Sequence, residues 1–227
     1  MRSIWRTLDP RLLRDVSAVA AGAAVNGASF GAISVAVGLP WWMPLVMSVL
    51  VFGGGSQFMA VGIVAAGGSP AAAVLAGLVL NARHLPFGLA VGDVLGRSWA
   101  ARLVGSHLMI DETVAFALAQ RDPARARAAY WSCGVALFFA WNIAVVGGAL
   151  AGQAIGDPAT FGLDAAFPAA MLALVLPALK DRATLRAAVV GAVIALATTP
   201  FLPPGVPVLL ALGGLVATIR RRSEVAV

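Results

Sequence analysis

Apolar stretches of helix length alternate with short polar links along the whole chain. Eight such stretches stand out: 16–37, 41–66, 70–92, 102–120, 128–152, 165–180, 184–199 and 205–219. A bilayer core takes about 20 apolar residues per helix. The links "GLPWW", "GGSP", "DVLGRSWAAR", "QRDPARAR", "GDPATFGLD", "KDRATLR" and "TPFLPPG" are short and rich in Gly, Pro or charge. The pattern predicts an all-α polytopic membrane protein with about eight transmembrane segments, several of them broken or short. Residues 165–179 and 206–219 are uncharged runs. At 1.5 Å per residue each gives only about 20 Å of helix against about 30 Å of hydrocarbon. Short or Gly/Pro-interrupted segments are a mark of transporters with broken helices, and an internal repeat goes with that expectation.

Composition leaves no room for a water-soluble fold. Of the 227 residues 60% are hydrophobic and only 11% charged, and the mean hydropathy is +0.91. An ordinary soluble domain is about a quarter charged. The expected organisation is a cytoplasmic, amphipathic lead-in over 1–15, a single transmembrane transport domain over 16–220 and a cytoplasmic tail over 221–227. The one cysteine, Cys133, excludes an internal disulfide. The net charge of +6 comes from arginine clusters between apolar runs, which is a topology signal and not a nucleic-acid patch.

Those clusters set the orientation. Arg2, Arg6, Arg11 and Arg14 precede the first segment. Arg121, Arg125 and Arg127 follow the fourth, Lys180, Arg182 and Arg186 the sixth, and Arg220, Arg221 and Arg222 the eighth. With eight crossings all four fall in the cytoplasm, with both termini. Arg97 and Arg102 alone fall on the far side by this count. A re-entrant third segment would bring them back, given one further change to keep both termini inside.

Five segments carry polar or helix-breaking residues at their midpoints: Asn26, the run Gly53–Gln57, Asn81 with Arg83 and His84, Asp111 with Glu112, and Asn142. An ionised side chain at that depth costs about 2.5–3.5 kcal/mol on insertion scales. A lone ion pair between Arg83 and Asp111 or Glu112 would serve to lock helices together. Two acids, one Arg and two histidines, His84 and His107, exceed what one lock requires.

Each motif predicts a local device. In "FGGGSQF" three consecutive glycines disfavour helix by close to 1 kcal/mol each, so a half-helix beginning at Ser56 or Gln57 would aim its positive end at the midplane. Close packing through glycine is the plainer alternative. In "ARHLPFG", Pro86 lacks an amide donor and disfavours helix at Leu85, so a kink is expected beside Arg83 and His84. In "HLMIDE", His107 and Asp111 are spaced i,i+4 and share a face of a continuous helix, with Glu112 about 100° away. Two ligands with no third make no metal site; a charge pair or proton relay suits the spacing better. Asn26 and Asn142 are expected to hydrogen-bond across helices. Trp41, Trp42 and Trp99 sit at segment ends as interfacial anchors, and Trp131 and Trp141 read as packing.

"GASFGAISVAVGLPWW", "GGGSQFMAVGIVAAGGS", "LNARHLPFGLAVG" and "HLMIDETVAFAL", in this order, resemble the AzlC family, the large subunits of bacterial branched-chain amino-acid exporters. The match is strongest over 20–120, and "GLDAAFPAAMLALVLPALKDR" (162–182) agrees in pattern. The resemblance implies a secondary transporter of the bacterial cell inner membrane that exports Leu, Ile, Val and related hydrophobic amino acids, with a small AzlD-like membrane subunit and no cofactor. The family's G-x-x-Q-F stretch falls on Gly54–Phe58, its N-x-R-H/N stretch on Asn81–His84 and its D-E pair on Asp111–Glu112.

The residues fit such a cargo on their own chemistry. Amides freed by Gly53, Gly54 and Gly55 with Ser56 and Gln57, or the guanidinium of Arg83 beside Asn81, would take a carboxylate. Asp111 or Glu112 would take the ammonium. His84, His107, Asp111 and Glu112 are the candidates for proton coupling, since no nucleotide-binding motif is present. The competing classes are a passive channel for small polar solutes, a membrane-embedded enzyme using His107, Asp111 and Glu112, and a scaffold for a small partner. No nucleophile–base constellation supports the enzyme, and a scaffold gains nothing from midplane charges.

Overall fold

The structure, a computed structural model, describes residues 9–155, 172, 175–176, 178–203 and 205–216. All regular structure among them is helical. The chain divides into two compact units, Met1–Gln57 with Asn81–Asp164, and Phe58–Leu80 with Ala165–Val227. The α-helices bounded within the described residues are α1 Pro10–Ala36, α2 Trp42–Leu50, α3 Gly54–Ala65, α4 Pro70–Asn81, α5 His84–Leu95, α6 Trp99–His107, α7 Asp111–Leu118, α8 Pro123–Ile155, α9 Arg182–Thr198 and α10 Val206–Leu210. Among the described residues two helices, α1 and α8, are long and apolar enough to cross a membrane; α4 with α5, taken as one bent pair, would make a third. Apolar side chains lie on the exterior, among them Leu85, Leu89, Ile143, Leu196 and Phe201, as a protein solvated by lipid tails requires. The chain is a helical membrane protein. The segment expected at 165–180 lies mostly outside the described residues.

In the first unit α1 and α8 form the frame. Both begin with proline in the first turn, where its missing amide costs nothing, and Asp9 caps α1 by accepting from the Arg11 amide at 3.1 Å. α1 therefore starts inside the stretch expected as a lead-in. The two helices cross through small residues. A Cβ on Gly27 would meet the Trp141 carbonyl at 2.8 Å, one on Gly31 would strike the Val145 carbonyl, and one on Gly148 would strike that of Ala28. One on Gly152 would meet the Ala32 carbonyl at 3.0 Å. Gly27–Gly31 and Gly148–Gly152 are thus two G-x-x-x-G pairs that face each other, which lets the backbones touch. Rising numbers on α1 meet rising numbers on α8, so the helices run parallel with their basic N-termini at one end.

The segment 102–120 is not one helix. α6 ends at His107 and α7 begins at Asp111. The break has no Gly or Pro. It is held by Thr113, whose hydroxyl accepts from the Ile110 amide at 2.9 Å and lies 2.8 Å from the Ile110 carbonyl. His107 and Asp111 therefore do not share a helical face, and the expected i,i+4 relation fails. α7 packs along the first half of α8, and α6 is tied to it through side chains. Gly96 has φ +109, and the Arg127 guanidinium stands 2.6 Å from where its Cβ would be. Tyr130 Oη donates to the Gly105 carbonyl at 2.7 Å, and Leu108 and Thr113 flank Gly134. Val91, Leu95, Met109, Val114, Ala117 and Tyr130 close the core beneath them.

The second unit is described by itself. Ile63, Ala73 and Ala76 form its core with Ala72 and Leu209. Gly205, at φ +93, has Ile63 and Ala72 against its α-carbon. α9 pairs antiparallel with Ala211–Leu215: a Cβ on Gly191 would meet the Ala211 carbonyl at 2.7 Å, and one on Gly214 would strike that of Ala187. Asp181 caps α9, accepting from the Thr184 amide at 2.8 Å and its hydroxyl at 2.9 Å. Those bonds hold its carboxyl below the usual carboxylate range.

Candidate functional site

Among the described residues of the first unit three short helix breaks interrupt the expected segments: Val51–Gly53 between α2 and α3, Ala82–Arg83 between α4 and α5, and Leu108–Ile110 between α6 and α7. Each leaves backbone groups without helical partners and has to satisfy them locally. The side chains that do this are largely the ones singled out in the sequence.

At the first break α3 starts at Gly54, earlier than the expected Ser56 or Gln57. Gln57 N donates to the Gly53 carbonyl at 3.0 Å, the first bond of the new helix. The amides of Gly54, Gly55 and Ser56 precede it and face out of the helix end. Glycine in a first turn costs less than in an interior, which is why the helix includes Gly54 and Gly55. Ser56 Oγ donates to the Gly53 carbonyl at 2.8 Å. Gln57, 2% exposed, spans the break: Nε2 donates to the Val51 carbonyl at 2.5 Å, and Oε1 accepts from Trp141 Nε1 at 3.2 Å. Ser56 and Gln57 therefore hold the loop's shape through their side chains.

At the second break His84 Nδ1 lies 2.8 Å from the Asn81 carbonyl, bridging the gap. Pro86 falls in the first turn of α5 and not at the break itself, which lies upstream of it. Arg83 Nη1 pairs with Asp111 Oδ2 at 2.6 Å, while its Nε and the Asn81 Oδ1 are buried with no partner. At the third break Asp111 and Glu112 occupy the first turn of α7, where the helix's positive end favours carboxylates. Among the described residues Glu112 makes no ion pair. His107 packs on Phe52 and Phe138, with ring centroids 6.5 and 5.8 Å away.

The three breaks meet in pairs. The Asn81 amide lies against Gly53, 3.4 Å from where a Cβ would stand. Phe52, next to Gly53, touches His107, and Arg83 joins Asp111. The expected site residues Gly53–Gln57, Asn81, Arg83, His84, His107 and Asp111 thus form one continuous set, with Glu112 adjacent in the chain to Asp111. The two asparagines expected as interhelical links do otherwise. Asn142 Nδ2 donates at 2.8 Å to the Phe138 carbonyl of its own helix, and its Oδ1 is buried without a partner. Asn26 is exposed on α1. The unexpected member is Trp141. Besides its bond to Gln57, its ring lies 2.8 Å from where a Cβ on Gly54 would stand, and it stacks on Phe30 at 6.2 Å. In the sequence it reads only as packing, at midspan beside Asn142.

This arrangement offers donors at one corner, from the α3 amides and Arg83 Nε, and carboxylates at another, from Asp111 and Glu112. The family model described as AzlC protein matches residues 18–155, a stretch that holds all three breaks. The chain belongs to the AzlC family. No curated protein and no solved structure matches it. AzlC membership points to membrane transport, in keeping with a helical membrane protein whose polar groups gather at helix breaks.

Proposed function

We propose that this AzlC-family chain is a secondary transporter that exports branched-chain and related hydrophobic amino acids across the bacterial inner membrane. In this reading it is driven by protons and works with a small AzlD-like membrane subunit. Eight apolar segments lie in the bilayer, residues 16–220 act as one transport domain, and both termini are cytoplasmic.

The observation that carries the reading is the pairwise meeting of three helix breaks. An amino acid held within a membrane needs an anion site, a cation site and an apolar wall. The amides of Gly54–Ser56 and Arg83 supply the first, Asp111 or Glu112 the second, and Phe52 and Phe138 the third. Half-helix ends that present backbone charge to a substrate are the device of broken-helix transporters. Arg83 and Asp111, paired when no cargo is bound, would part to take the carboxylate and the ammonium. His84, His107 and Glu112 are the remaining groups that can carry a proton.

Uptake of labelled leucine, isoleucine and valine into inverted vesicles tests this, with and without an imposed proton gradient and with and without the small subunit. Accumulation above equilibrium that needs the gradient supports the reading. Equilibration without accumulation would point instead to a passive pore, and conversion of the label to another compound to an enzyme.

A further inference from the structure

We infer that Trp99–Leu118 is a re-entrant hairpin: it enters and leaves the membrane at the end where α1 and α8 begin, and it carries His107, Asp111 and Glu112 to its tip. The inference concerns membrane topology and does not rest on what is transported.

Three positions along α8 fix the course of the two arms. Gly96, just before α6, packs against Arg127 in the first turns of α8. Gly105 receives the Tyr130 hydroxyl bond and would meet the Trp131 ring. Leu108, past the end of α6, flanks Gly134, and His107 reaches Phe138. α6 therefore runs in the same direction as α8. Gly134 lies about 16 Å, and Phe138 about 22 Å, from the start of α8 at 1.5 Å per residue. The return is fixed as firmly. Thr113 flanks Gly134 as well, and only residues 119–122 separate the end of α7 from Pro123. A link that short spans at most about 17 Å when extended, so α7 ends beside the start of α8. Neither arm can cross alone, because 9 and 8 residues give about 13 and 12 Å against about 30 Å of hydrocarbon.

The charges then agree. Arg11, Arg14, Arg97, Arg102, Arg121, Arg125 and Arg127 all lie toward one end of the first unit, and residues 37–42 and 145–155 at its other end carry no Lys or Arg. Arg97 and Arg102, on the wrong side in a chain of eight full crossings, join the rest. Parity also follows. α1 ends at the far end and α5 ends beside Arg127, so residues 42–95 make an odd number of crossings. One of the segments 41–66 and 70–92 therefore re-enters too. Two re-entrant segments keep the N-terminus and α8 in their original orientation.

The test uses the full-length protein in a Cys133→Ala background. Arg97→Cys and Arg121→Cys are compared with Arg14→Cys at the basic end and Val37→Cys at the other, using an impermeant maleimide on inverted and right-side-out vesicles. The expected result is that Arg97→Cys and Arg121→Cys label from the side that labels Arg14→Cys and not from the side that labels Val37→Cys. Labelling of Arg97→Cys together with Val37→Cys overturns the hairpin. Should a cysteine react from neither side, a protease site inserted after Arg97 or Arg121 gives the same decision. Cleavage from the Arg14 side supports the hairpin, and cleavage from the Val37 side, or from neither, counts against it.

Discussion

Arg83 Nη1 stands 2.6 Å from Asp111 Oδ2, joining the residue just before α5 to the first residue of α7. The pair is half-buried, with side chains 31% and 46% exposed. A hydrogen bond to a charged group contributes about 1.5–3 kcal/mol. Arg83→Ala is expected to lower transport about tenfold or more by that measure, and to lower the amount of protein in the membrane. The neutral pair Arg83→Gln with Asp111→Asn removes the unpaired charge. It should restore the protein level without restoring transport. Recovery of transport in that double variant would show that the pair only locks the two breaks together.

Adjacent glycines on α8 make a controlled comparison. A Cβ on Gly148 would strike the Ala28 carbonyl, whereas one on Gly147 meets nothing within 4 Å. Gly148→Ala should reduce the melting temperature in detergent sharply, because the obstacle is backbone. Forced overpacking costs about 1–3 kcal/mol. Gly147→Ala should be neutral or stabilising, since alanine is the better helix former by about 1 kcal/mol. Equal effects at the two positions would contradict the parallel glycine crossing.

Trp141 and Gly54 form a second steric pair. Gly54→Ala should impair transport, and Gly54→Leu should abolish it while protein remains in the membrane. Trp141→Phe gives room but also removes the Nε1 bond to Gln57. Combined with Gly54→Ala it should recover stability more fully than transport, because the loop then loses one of its ties. Thermal melts read the first effect and vesicle uptake the second.

Tyr130 holds the hairpin by one buried hydroxyl. Tyr130→Phe deletes the 2.7 Å bond to the Gly105 carbonyl at a cost of about 1 kcal/mol. Faster hydrogen exchange over 104–110, with little change in α1, is the expected readout. An unchanged exchange pattern would mean that apolar packing alone holds α6.

The sequence disclosed elements wherever one apolar run meets one physical need. The spans at 16–37 and 128–152 were legible because bilayer thickness sets their length; the helices run on to Pro10 and Pro123 because proline and Asp caps, not the lipid boundary, start them. The triple glycine announced its break, though not that the helix would resume at Gly54. The break at Leu108–Ile110 was invisible, since it comes from one Thr hydroxyl on a backbone amide and no residue there disfavours helix. Trp141 was legible only as packing, because its role depends on Gln57, far away in the chain. Asn142 was misjudged for a related reason: an asparagine within a helix can bond its own preceding turn as readily as a neighbour.

The glycine crossing of α1 and α8 also divides the unit mechanically. Two parallel rods whose backbones touch have no slack to slide or splay, so they behave as a mast. What can swing are the stubby rods ending at the breaks, of 8, 9 and 12 residues in α7, α6 and α5. Each has one end at a point where the helical ladder is already interrupted. A cargo that draws Arg83 from Asp111 would tilt such a rod about its far end and leave the mast standing, so opening and closing would take place within a fixed outline.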